Sequence, residues 1–237
     1  MVKIKICGLR SFRDIDYINA AAPDYAGLVF VADSRRFVTH KFAAEFVGGL
    51  RPGIIPVGVF ANAQIDEIAE LYCRGVIFAA QLHGGEDEIY ISELGKKCAD
   101  LTIIKAVSAD VIPENYGEKA SEDGNKISIN RDKKINGNTD GIYADSGIKV
   151  KRGKADFLLI DSGKGGTGKT FDWRKIRGIE PPFFLAGGIN LSNIDAALRL
   201  NPYAVDISGG AETDGEKDGE KIRLLTERVG RYNRNRL

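Results

Sequence analysis

Hydrophobic positions along this chain follow two alternating rhythms. Short runs rich in β-branched and aromatic residues predict strands, and the segments between them place apolar residues at helical spacing. The runs fall at 2–7, 25–31, 54–61, 76–82, 101–107, 156–161, 182–187 and 203–208. Helices are predicted at 11–22, 39–50, 64–74, 86–98, 172–178, 192–200 and 218–233, with a weaker one near 109–120. Stretches such as Ile54–Phe60, Leu101–Val107 and Phe157–Ile160 are almost continuously apolar. That pattern calls for burial on both faces, hence a parallel sheet covered by helices. Eight strand-then-helix units predict an α/β fold of one (β/α)₈ barrel spanning 1–237. An open doubly wound sheet is the alternative, because a count of units does not by itself close a barrel.

One stretch breaks the rhythm. Residues 109–154 are polar and glycine-rich, and far longer than a usual connection of roughly 2–6 residues, so a polar insertion is expected between strands 5 and 6. Within it, Lys126–Asn130 and Gly141–Ala144 flank a turn-rich NGNTDG and could pair as a hairpin. The insertion carries no evident chemistry.

Composition narrows the function. The 237 residues are 43% hydrophobic and 28% charged, which a globular domain needs and a disordered chain lacks. With 34 Lys and Arg against 33 Asp and Glu, the chain has no electrostatic footprint for nucleic acid, so any anionic ligand must be met locally. The widely spaced Cys7, Cys73 and Cys98 match neither a disulfide framework nor a zinc cluster. MVKIKICGLR lacks the apolar core of a signal peptide, and no apolar stretch is long enough to span a membrane. A cytoplasmic protein without membrane or nucleic-acid partners is expected.

Gly163–Thr170, GKGGTGKT, satisfies the phosphate-loop pattern letter for letter. A nucleotide hydrolase also needs a long helix from the lysine onward and further strands supplying a magnesium ligand. FDWRKIRGIEPP leaves no room for that helix. After a barrel strand, Gly165, Gly166, Gly168 and Lys169 read instead as a lid able to fold over an anionic substrate, against the plainer reading of a surface loop.

In a (β/α)₈ barrel the carboxyl ends of the strands carry the chemistry. Strand 1 ends in Cys7-Gly8 and strand 6 in Asp161, roughly opposite each other around the mouth. The thiol is a potential base once ionised, and the carboxyl a potential acid if its surroundings keep it protonated. Inert packing is the competing role for Cys7. Gly187-Gly188 after strand 7, and Ser208-Gly209-Gly210 after strand 8, let backbone amides approach a phosphate closely. Arg36 could grip a carboxylate with two hydrogen bonds, and His83 after strand 4 is either a substrate contact or a structural histidine. A phosphorylated small molecule is the implied partner. A non-catalytic phosphate-binding barrel would use the glycine turns alone.

Several motifs together resemble the phosphoribosylanthranilate isomerase family. They are KICGLRS at Lys5–Ser11, GLVFVADSRRFV at Gly27–Val38, VGVFAN at Val57–Asn62, QLHGGE at Gln81–Glu86, LLIDSGKGGTGKTFDW at Leu158–Trp173, LAGGIN at Leu185–Asn190 and VDISGGAET at Val205–Thr213. The resemblance implies a monomeric or homodimeric barrel enzyme of tryptophan biosynthesis. Its reaction is the Amadori rearrangement of N-(5′-phosphoribosyl)anthranilate, with no cofactor and no metal. It further implies Asp161 as acid on the ribose ring oxygen, Cys7 as base, Arg36 on the anthranilate carboxylate and the turns around Gly188, Gly209 and Gly210 on the phosphate. It makes GKGGTGKT the loop after strand 6 rather than a nucleotide site. Gly209, where the family often has a serine, Gly85 after His83, and the insertion depart from the family pattern.

Overall fold

The computed structural model describes residues 1–111, 155–162, 170–176, 179 and 182–236. Eight parallel strands close into a barrel. They are β1 (Lys3–Cys7), β2 (Tyr25–Val29), β3 (Ile55–Phe60), β4 (Ala79–Leu82), β5 (Thr102–Ser108), β6 (Phe157–Asp161), β7 (Phe183–Leu185) and β8 (Ala204–Ile207). Each pairs with the next, and β8 returns to β1 with Lys5 opposite Asp206, so the open doubly wound alternative is excluded. The helices are α1 (Arg13–Ala21), α2 (His40–Gly48), α3 (Ile65–Cys73), α4 (Glu88–Lys97), α5 (Ile194–Arg199) and α6 (Gly219–Arg234).

Strand alternation divides the core in two. Ile4, Ile6, Leu28, Phe60 and Leu82 face outward and pack with Ile18, Phe46, Leu71, Leu94 and Leu225 of the helices. In α6, Ile222, Leu225 and Val229 recur at helical spacing on the buried face, each contributing about 1.5–3 kcal/mol by leaving water. Asp218 starts that helix by accepting from the Glu220 and Lys221 amides. Inside the barrel, Tyr25, Val57, Ala79, Ile104, Leu159, Phe184 and Ala204 pack together with Phe157 and Tyr203. The Phe157 and Tyr203 rings lie 4.4 Å apart, and the Tyr25 and Tyr203 hydroxyls meet at 2.9 Å. Tyr25 and Phe157 open their strands, so these aromatics form a floor at the amino ends.

Several elements differ from their sequence expectation: β7 keeps only Phe183–Leu185 of the expected 182–187, and a two-stranded ladder of Glu212–Thr213 with Glu216–Lys217 was not expected. β4 begins at Ala79, not at 76, because Gly75 turns in the left-handed region and Val76 donates back to Leu71 of α3. The apolar Val76 and Ile77 pack the α3–β4 turn instead of extending the strand. The helix expected at 172–178 is a short 3₁₀ turn, Trp173–Ile176, started by Asp172 accepting from the Arg174 amide. Another 3₁₀ turn, Ala109–Val111, follows β5. The rest of the 109–154 insertion, with its expected helix and hairpin, lies outside the described residues.

Candidate active site

The carboxyl ends of the strands surround a cavity of about 1070 Å³. Its lining includes Cys7, Arg36, His83, Asp161, Gly187, Gly188, Ser208, Gly209 and Gly210, so these residues, scattered through the sequence, share one space. The expected lid residues Gly165, Gly166, Gly168 and Lys169 lie outside the described residues.

Cys7 ends β1 as a buried thiol. Room for its sulfur depends on Gly27 of β2, where an added Cβ would stand 2.8 Å from Sγ. Two residues back on the same face, the fully buried Lys5 ammonium donates to Asp206 Oδ1 at 2.9 Å and Gln81 Oε1 at 2.8 Å. Burial pushes the Cys7 thiol up, the Lys5 cation pulls it back, and the Asp206 carboxylate adds to the rise; the net direction is upward. Burial opposes the Lys5 charge as well, but Asp206 and Cys7 outweigh it and raise its pKa.

Asp161 ends β6. Burial alone would raise its carboxyl, yet His83, the Ser162 amide at 2.7 Å and the Ser162 hydroxyl win and hold it below the ordinary range. The surroundings thus favour a carboxylate in the free protein, unlike the protonated acid expected from sequence. Gly187, expected at the phosphate, packs against this group: at φ +91°, its missing Cβ would meet Asp161 Oδ1 at 3.1 Å. His83 is set by the loop after β4. Buried Glu86 accepts from the Asn62 and Gly84 amides and pairs with Lys105, which also donates to the Gly84 carbonyl at 2.6 Å.

Arg36 is buried and already engaged. Its Nε and Nη2 donate to Glu212 Oε1 and Oε2 at 2.7 and 2.8 Å, a two-bond pair along one edge of the guanidinium. The fork expected to grip a carboxylate therefore keeps only its other edge, Nη1 and the second Nη2 hydrogen, for a ligand. Lys217 also donates to Glu212, at 2.8 Å. Burial would raise the Glu212 carboxyl, but the two cations bring it down to about 2. Two buried cations around one carboxylate leave a net positive charge. The stem of Arg36 lies over Gly8, at φ +82°, where a Cβ would come within 2.2 Å of Cδ.

The glycine turns after β7 and β8 touch. A Cβ on Gly210 would stand 1.9 Å from the Ile189 carbonyl, so glycine is required there. Gly188, at φ +65°, has its carbonyl held by the side-chain amides of Asn190 and Asn193, both at 3.0 Å. Gly209–Ala211 opens a 3₁₀ turn, whose first amides have no acceptor within the turn. Sequence reasoning did not assign roles to Lys5, Gln81, Glu212 and Lys217. A lysine inside a strand buried on both faces was the available signal for the first.

Fold and site together define a class, the (β/α)₈-barrel isomerase. The family model described as N-(5'phosphoribosyl)anthranilate (PRA) isomerase matches residues 4–129 and 142–228, and the chain belongs to that family. Its second matched part runs through Gly163–Thr170, so those letters belong to the isomerase pattern. The chain is 40% identical over 227 residues to an N-(5'-phosphoribosyl)anthranilate isomerase of Endomicrobium trichonymphae, covering 94% of this chain and 95% of the relative. The phosphoribosyl anthranilate isomerase of Thermus thermophilus superposes with a TM-score of 0.73 at 25% identity, covering 97% of this chain and 99% of that one. Another, solved in complex with reduced 1-(o-carboxyphenylamino)-1-deoxyribulose 5-phosphate, gives 0.69 at 24% identity, again covering 97% and 99%. The protein is accordingly an aldose–ketose isomerase of tryptophan biosynthesis, performing the Amadori rearrangement of N-(5′-phosphoribosyl)anthranilate.

Proposed function

We propose that Cys7 and Asp161 are the base and acid of this rearrangement, with Arg36 and the two glycine turns as its anchors. The observation that carries the assignment is their convergence on one cavity: a thiol and a carboxyl from different strands, with the glycine turns and a cationic patch beside them. Asp161 gives its proton to the ribose ring oxygen. The bond from that oxygen to C1 breaks, and the anilino nitrogen lone pair forms the iminium. The Cys7 thiolate takes the proton from C2, and those electrons form the C1–C2 double bond as the iminium electrons return to nitrogen. The enolamine then tautomerises to the ketone, with the C2 hydroxyl losing its proton and C1 gaining one. The free edge of Arg36 grips the anthranilate carboxylate, drawn by the uncompensated charge of Arg36 and Lys217 against Glu212. Amides of the turns around Gly188, Gly209 and Gly210 hold the phosphate, an anchor that supplies binding energy remote from the reacting carbons. The analogue bound by the related isomerase carries both anions, a carboxylate and a phosphate, that these anchors would meet.

No described helix is long and apolar enough to cross a membrane. Cys7, Cys73 and Cys98 are unpaired thiols, in keeping with a reducing cytoplasm as the place of action.

The test is kinetic. Cys7→Ala and Asp161→Ala are each expected to lower kcat by on the order of 10²–10⁴, the range of general acid–base assistance, with an unaltered far-ultraviolet dichroism spectrum. Retained turnover in either folded variant would remove that residue from the reaction.

A further inference from the structure

A continuous row of polar groups crosses the barrel interior from beside Cys7 to Asp161. It starts at the Lys5 ammonium, which donates to Gln81 Oε1 at 2.8 Å. The other end of the Gln81 amide, Nε2, stands 3.1 Å from His83 Nδ1. His83 Nε2 in turn lies 3.6 Å from Asp161 Oδ2. Lys5 is fully buried and Gln81 nearly so.

The chemistry of these groups leaves one assignment. An ammonium can only donate, so the Gln81 atom facing it is the carbonyl oxygen; the reversed amide would press NH₂ against NH₃⁺. Nε2 of Gln81 is then a donor only, and His83 Nδ1 must accept. A neutral imidazole accepting at Nδ1 carries its proton on Nε2, the nitrogen that faces Asp161. The 3.6 Å separation exceeds a formed hydrogen bond by a few tenths of an ångström, within reach of a small turn of the ring.

We propose that Gln81 is a positioning residue for the rearrangement: locked by Lys5, it fixes His83 as the Nε2–H tautomer and so aims a hydrogen-bond donor at Asp161. The proposal rests on Asp161 being the acid. In the carboxylate state left after ring opening, Asp161 receives this donor, and the imidazole stays uncharged while giving it. With the other tautomer, a lone pair would face the carboxylate and repel it.

The chain has two histidines, His40 and His83, so ¹⁵N-labelled imidazoles give a spectrum assignable with His40→Gln. The wild-type enzyme should show His83 neutral and protonated at Nε2. Gln81→Glu replaces the donor by an acceptor and should place a proton on Nδ1. Gln81→Met, close in volume, should remove the tautomer preference. Both should lower kcat more than they raise KM, by on the order of 10²-fold, as expected for a misplaced catalytic group. A wild-type His83 protonated at Nδ1 overturns the proposal, and this readout needs no variant to fold. A tautomer shift with unchanged kcat overturns the positioning role. Loss of the Asp161 assignment would appear separately, as an active Asp161→Ala enzyme with the wild-type spectrum intact.

Discussion

Cys7 and Asp161 hold one proton between them in a particular order. Burial lifts the thiol above its ordinary 9.0, while His83 and the Ser162 amide bring the carboxyl below 3.8 despite its burial, so the free enzyme rests as thiol and carboxylate. In the proposed mechanism that is the arrangement the proton transfers leave behind, and the productive form has the proton moved from sulfur to carboxyl. Its share is constant wherever exactly one proton is present. kcat/KM should therefore be level through neutral pH, apart from the second ionisation of the substrate phosphate near about pH 6. It should fall only below the lowered carboxyl pKa, where both groups are protonated, and above the raised thiol pKa, where neither is. An alkaline limb at neutral pH in a rate profile would contradict this order. Cys7 and Asp161 stood out in the sequence as candidate proton carriers because strand ends are chemically privileged in a barrel. The order of their proton affinities was not, since it depends on Lys5, Asp206 and His83, which only closure brings alongside. Gly27 was equally hidden: its lack of a side chain makes sense only once the Cys7 sulfur is beside it.

At the level of elements, periodicity placed each of the eight barrel strands, because residues such as those of Leu158–Asp161 are buried on both faces and leave no ambiguity of pattern. It overextended β4, where Val76 and Ile77 are apolar for the sake of a helix–strand turn, and missed the two-stranded ladder of Glu212–Thr213 with Glu216–Lys217, too short to show a period. That ladder matters, because it carries both ends of the Glu212–Lys217 pair and joins them to Arg36 from the segment after β2. Glu212 is held at about 2 against an ordinary 4.5, a difference worth on the order of 3 kcal/mol to the folded state. Because the folded value is depressed, this contribution is complete above the unfolded pKa and disappears as pH falls from 4.5 through about 2. Glu212→Gln should lower stability at neutral pH by about 3–5 kcal/mol, since two buried cations lose their anion. It should also lose the corresponding acid dependence. Urea unfolding at neutral and acidic pH measures both, and a variant as stable as the parent at neutral pH would show that the cluster is not structural.

Seen as a whole, the molecule assigns opposite tasks to the two ends of one cylinder. Chemistry gathers at the carboxyl ends of the strands, while Tyr25, Phe157, Phe184 and Tyr203 pack ring against ring at the amino ends. Among the described residues those rings pack the barrel beneath the cavity, which opens at the carboxyl ends of the strands. Substrate and rearranged product share that opening and carry the same two anionic handles. Added product should therefore inhibit in a purely competitive manner, read as a rise in KM at constant kcat, and a mixed pattern would reveal a second berth. The enzyme's working rate when its own product accumulates is thus governed by how firmly that shared doorway is held shut by the last occupant.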